Sequence, residues 1–187
     1  MLIVRDGYRA ATITAIASAA EVNVDTVYEL VGRKPVLLRE LIEEAISGTD
    51  HPVVAEERAH IVAMLAERDP AAKLAIYAHA LADTHRRLAP LFAAARDAAS
   101  TEPEAAQVWR EISERRAANM RKLVADVRAG LDGPFELPLE RAADVAWALN
   151  APELYLMLTG ERGWSPLEYE RFVADAMHRL LLAELDG

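Results

Sequence analysis

The chain has no cysteine, which removes disulfide frameworks, thiolate metal centres and cysteine nucleophiles together. Glycine is scarce, with 8 in 187 residues, and proline numbers 9. Those counts leave no room for collagen-like or low-complexity character, nor for the glycine-rich loops that cradle phosphates or dinucleotides. Aromatic residues make up only 6%, so the signals that mark strands are thin. Positive charge is in deficit, 21 lysines and arginines against 30 acidic residues for a net −9, which excludes a protein that coats nucleic acid through a broadly basic surface. A localised DNA-reading patch stays compatible with that balance. Long hydrophobic runs are also missing. Charge interrupts them every few residues, as in Leu37-Leu38-Arg39-Glu40-Leu41-Ile42-Glu43-Glu44, so no stretch reaches the roughly 20 residues of a membrane span. The start, Met1-Leu2-Ile3-Val4-Arg5-Asp6, lacks the basic region and small-residue cleavage site of a secretory signal. A soluble, cytoplasmic chain that makes no use of a membrane is expected.

What is present is alanine-rich apolar sequence at helical spacing, 52% hydrophobic in all, long enough to bury a core. From Pro35 to Ser47, Leu37, Leu38, Leu41, Ile42 and Ala45 form one stripe that ends at Gly48. A second pattern runs from about Val53 to Glu67. Asp69-Pro70 reads as an N-cap and first helical residue, opening a helix with Leu74, Tyr77, Ala78, Leu81 and Ala82 on one face that Pro90 breaks or kinks. Thr101 and Glu104 carry capping-box spacing before a helix that reaches Ala129 and stops at Gly130, and Asp132-Gly133-Pro134 is a loop. The last two segments are Pro138 to Leu158, kinked at Pro152, and Pro166 to Leu185. The fold class expected is all-α.

The sharpest motif lies near the amino end. Thr12 can cap a helix holding Ile13, Ile16, Ala17 and Ala20. Asn23 can cap another holding Val24, Val27, Tyr28 and Val31, with only Glu21-Val22-Asn23 between them. Such a corner packs as a helix-turn-helix and offers its second helix to a major groove. Gly7-Tyr8, Thr12-Ile13, Ile16-Ala17, Ala20, Val22, Thr26, Tyr28, Lys34 and Leu37-Leu38 follow in the order and spacing of the TetR family of bacterial transcriptional regulators, which residues 7 to 45 resemble.

The resemblance implies a helix-turn-helix DNA-binding domain over residues 1–47 and a helical ligand-binding and dimerisation domain over 48–187. In that family a complete helix precedes the Gly-Tyr pair; six residues stand there here, so the first helix is expected to be truncated. DNA contacts are expected from Thr12, Asn23, Asp25, Thr26, Tyr28 and Lys34. Hydroxyls of Thr12, Thr26 and Tyr28 suit phosphates or base edges, Lys34 suits a backbone phosphate, and Asp25 or Glu29 could accept from a cytosine amino group. Each has a plainer reading: Thr12 and Asn23 are caps with or without DNA, Tyr28 can pack inside, and Lys34 can be an ordinary solvated lysine. Two departures concern backbone and charge. Glu21 stands where the family commonly has glycine, and a positive φ there would be costly. Over residues 1 to 38 four basic and four acidic residues cancel, so the whole −9 belongs to the remainder.

For the second domain, Tyr77, His79, Trp109, Met120, Trp147 and Tyr155 are the pocket candidates for a small, mostly apolar effector of unknown identity, although such residues at helical spacing equally well just pack. Arg86-Arg87 and Arg115-Arg116 read as solvated faces or ion pairs, although either could meet an anionic ligand. The resemblance implies a homodimer through the last two long helices. It also implies a regulator, a repressor by preference, that the effector releases from double-stranded operator DNA. The alternative is a degenerate TetR-like helical dimer that binds a small molecule or protein partner without specific DNA binding. The five histidines, His51, His60, His79, His85 and His178, show no metal-ligand spacing, and there is no nucleophile elbow. Neither an enzyme, a cofactor nor a metal site is expected.

Overall fold

A computed structural model describes residues 1–48, 57–129, 131 and 135–182. Its order is α1 (Leu2–Asp6), α2 (Ile13–Ala19), α3 (Val24–Leu30), α4 (Lys34–Ser47), α5 (Ala59–Ala66), α6 (Pro70–Ala99), α7 (Pro103–Arg128), α8 (Leu139–Leu149) and α9 (Pro152–Tyr155), then a π-helical turn (Leu156–Glu161) and α10 (Pro166–Leu182). The fold is all-α, with no strand among the described residues. No described helix is long and apolar enough to cross a membrane. His51, the start of the pattern at Val53, Gly130, the Asp132-Gly133-Pro134 loop and Leu185 fall outside the described residues.

Contacts divide the chain into two compact units, one of Met1–Pro52 with Arg87–Ile112, the other of Val53–Arg86 with Ser113–Gly187. The amino-terminal segment therefore does not stand alone. In the first unit Ile3, Tyr8, Ala11, Leu38 and Ile42 share a core with Leu88, Leu91, Phe92 and Ala95 of α6 and with Ala105, Val108 and Ile112 of α7. The five-residue α1 is anchored in it by Ile3.

Several boundaries follow the capping rules. Asp69 accepts from the Ala71 and Ala72 amides and so opens α6, and Gly48 closes α4 in the left-handed region at φ 71°. Pro90 does not break α6. The helix runs through it, because Leu88, Ala89, Leu91 and Phe92 on either side are all buried and packing outweighs the lost hydrogen bond. Thr101 is not the cap of α7: its hydroxyl donates back to the Ala98 carbonyl at 3.4 Å and finishes α6 instead. Pro152 does more than kink its segment, since α8 ends at Leu149 and Asn150-Ala151 separate it from α9. In the second unit α10 packs on α8, with Tyr169, Val173, Met177 and Leu181 forming its buried line at four-residue spacing.

Candidate functional site

In the first unit α2 and α3 meet at the expected corner. Thr12 Oγ1 accepts from the Ala15 amide at 3.1 Å, and Asn23 Oδ1 accepts from the Asp25 amide at 3.1 Å. Both side chains thus act as caps, leaving the Thr12 hydroxyl hydrogen and the Asn23 amide hydrogens for other partners. Ile13, Ala17 and Val27 form the small core of the corner, with Val24 and Leu37 packed against it.

The turn closes α2 in a Schellman arrangement, Val22 N–H donating to Ala17 O at 3.0 Å and Glu21 N–H to Ser18 O at 3.2 Å. The residue such a turn places in the left-handed region is Glu21, at φ 56°, the one non-glycine with positive φ among the described residues. The strain anticipated at that position is present.

Around the corner, Tyr28 is 51% exposed, so its ring belongs to the surface. Asp25 and Glu29 are exposed and Thr26 is partly so. Lys34 is not an ordinary solvated lysine. Its Nζ stands 4.0 Å from the centre of the buried Tyr8 ring and donates to the Arg9 carbonyl at 3.4 Å. Partial burial draws its pKa down. The Tyr8 hydroxyl is buried without a hydrogen-bond partner, and burial, with Glu102 and Glu104 nearby, pushes its pKa up to about 12. Two other cations of this unit face carboxylates: Arg33 pairs with Glu104 at 3.4 Å, and Arg39 with Glu111.

In the second unit some of the pocket candidates gather. Tyr77 is buried; its hydroxyl accepts from Asn150 Nδ2 and donates to Met120 Sδ at 3.3 Å. Tyr155 is buried edge-on to Tyr169, ring centres 5.0 Å apart, and both rings flank His85. Trp147 carries Arg116 over its face at 4.6 Å. His79 is elsewhere, paired with Glu170 at 3.1 Å in a surface cleft of about 260 Å³ that Asp83, Arg86 and Leu167 also line. Trp109 does not join them: it belongs to the first unit and packs on Phe92 with ring centres 4.4 Å apart.

Sequence reasoning passed over the polar partners of this cluster. His85 is buried and bonded through Nδ1 to the Tyr169 hydroxyl at 3.0 Å; burial first, then the Arg116 charge, lower its pKa to about 3. Its signal was position, since it continues the stripe of Leu74, Ala78 and Leu81. Asn150 is 6% exposed, with Oδ1 unpartnered, at the helix break that Pro152 announces. Arg116 is half-buried rather than on a solvated face, and burial lowers its pKa against the opposing pull of Glu153 and Tyr77. Sequence does not mark which of Arg115 and Arg116 turns inward.

No protein-family model matches the chain, and no curated protein matches it. Among solved structures it is similar to a TetR family transcriptional regulator, PfmR from Thermus thermophilus, with a TM-score of 0.64 and 18% sequence identity over 100% of this chain and 95% of that one. At that identity the likeness speaks for the fold: the chain has the all-helical fold of that TetR family regulator.

Proposed function

We propose that the chain is a ligand-responsive, DNA-binding transcriptional regulator, a repressor by preference, working in the cytoplasm as a homodimer. The observation that carries this reading is the α2–α3 corner. Two capped helices pack through Ile13, Ala17 and Val27 while Tyr28 and the outer side of α3 stay exposed, as a major-groove reader requires. The TetR fold of the solved neighbour supports it. Thr12, Asn23, Asp25, Thr26, Tyr28 and Lys34 are the proposed DNA-side residues.

Residues from 48 onward are proposed to bind the effector and to dimerise. The effector would approach the cluster of Tyr77, Met120, Trp147 and Tyr155, where an apolar surround contains a few fixed polar groups. Exposed Met157, Leu167, Phe172 and Leu180 supply apolar surface on the last helical segments for the dimer. An effector that binds better to one arrangement of the two readers than to the other would shift operator affinity. Anisotropy titration of the full chain against its flanking intergenic DNA tests the reading: sequence-specific binding with a modest salt slope is expected, and no binding even at low salt overturns it.

A second reading, a helical dimer that has given up specific DNA binding, is favoured by the strained Glu21 and by two carboxylates on the outer side of α3. The same titration separates the two.

A further inference from the structure

The outer face of α3 has an unusual chemistry for a groove reader. The helix reads Val24-Asp25-Thr26-Val27-Tyr28-Glu29-Leu30 and contains no arginine, lysine, asparagine or glutamine. Val24 and Val27 turn toward the small core. At about 100° per residue, Asp25 and Glu29 fall together on the side roughly opposite those valines. Leu30 ends the helix 80% exposed. Leucine that bare is apolar surface that no described residue covers. Neither Asp25 nor Glu29 is held by a basic side chain among the described residues, whereas Arg33 and Arg39 are paired with Glu104 and Glu111.

Resting on the DNA-binding reading, we infer that α3 reads pyrimidine edges: Glu29, with Asp25 one turn before it, accepts hydrogen bonds from cytosine amino groups, and Leu30 packs against a thymine methyl group.

The selectivity follows from what each base shows in the major groove. Guanine offers only acceptors, which repel a carboxylate. Adenine places its N7 acceptor beside its amino group, and thymine has an acceptor oxygen and a methyl group. Cytosine alone presents an amino donor with no acceptor of its own beside it. The thymine methyl is the apolar feature of that groove, which suits an exposed leucine. Guanine is ordinarily read by a paired donor from arginine or lysine, and α3 has neither. Spacing adds a constraint. Asp25 and Glu29 are one helical turn apart on one side of α3, so the two cytosines should belong to one half-site rather than to separate ones.

The test is selection of a random-core duplex DNA library on the full chain at low salt, followed by competition titrations with Glu29→Gln and Asp25→Asn. Both residues are exposed, so circular dichroism should show the variants folded like the parent. Base preference is the readout, because removing a carboxylate strengthens phosphate attraction for every sequence. Expected is a motif with cytosines within one half-site. Glutamine pairs with adenine through N6 and N7, so Glu29→Gln should turn one cytosine preference into adenine, a swing on the order of tenfold in relative affinity. A specific motif whose preferences neither variant changes overturns the pyrimidine reading and leaves DNA binding standing. No enrichment by the full chain overturns both.

Discussion

His85 and Tyr169 share a buried hydrogen bond, Nδ1 to hydroxyl at 3.0 Å, joining the middle of α6 to the first turns of α10. The imidazole also has a hydrogen bond to the Asn150 backbone of the kind that raises its pKa, with a ring N–H donating to the carbonyl. A neutral ring has one N–H, so Nδ1 accepts from the Tyr169 hydroxyl. With the ring neutral, the two bonds favour the tautomer that carries its proton on Nε2, and burial is what opposes a second proton.

That arrangement makes stability fall with acid. The folded ring stays neutral down to about pH 3, whereas an unfolded histidine takes up its proton near 6.5. Between those values the unfolded chain binds the extra proton, so stability rises with pH, by up to about 1.4 kcal/mol per unit from this group. Burial also lowers the pKa of His60, which adds to the same trend. Urea midpoints between about pH 5 and pH 6, above the ordinary carboxylate range, should decline toward acid, and His85→Gln should flatten the slope. An unchanged slope in that variant would count against the buried neutral ring.

Replacing Glu21 by glycine should stabilise the chain. The left-handed conformation costs a residue with a side chain about 1–2 kcal/mol, offset in part by the greater freedom glycine has when unfolded. A net gain of about 0.5–1 kcal/mol is expected by urea denaturation. Glu21→Pro cannot adopt φ 56° and should destabilise the corner.

Tyr8→Phe removes a buried hydroxyl that has no hydrogen-bond partner and keeps the ring under Lys34. Stability should hold or rise by up to about 1 kcal/mol. Lys34→Met should weaken DNA binding about equally across sequences and reduce the salt slope by about one unit, read from anisotropy at several salt concentrations.

Phe172 and Leu180, 37% and 44% exposed, lie on the face of α10 that adjoins its buried line. Phe172→Glu combined with Leu180→Glu should yield a folded monomer in sedimentation velocity. A dimer that survives both charges would place the interface elsewhere.

Helix positions were largely legible from sequence because caps are local: Thr12, Asn23 and Asp69 each bond an amide two or three residues ahead. Orientation was less so. In α10 the apolar residues Phe172, Val173, Ala176, Met177, Leu180 and Leu181 cover two adjoining faces, and only packing on α8 decides that Val173, Met177 and Leu181 go inside. Pro90 does not end α6, because propensity weighs one residue while the helix is held by several buried neighbours. At the candidate sites, exposed Tyr28 matched a motif, whereas Asn150 and Arg116 acquire their burial from α6, α7 and α8 meeting, which no local pattern encodes.

The π-helical turn after Tyr155 holds one residue more than an α turn would, its closing bond running five residues back from the Arg162 N–H to the Met157 carbonyl at 3.1 Å. Tyr155 before it and Tyr169 after it are both buried and meet edge to face, although the segment between them leaves Met157 in solvent. Removing a single residue from Leu156–Glu161 would undo that wide turn and shorten the link that lets the two rings meet, so chain length is itself a packing constraint here.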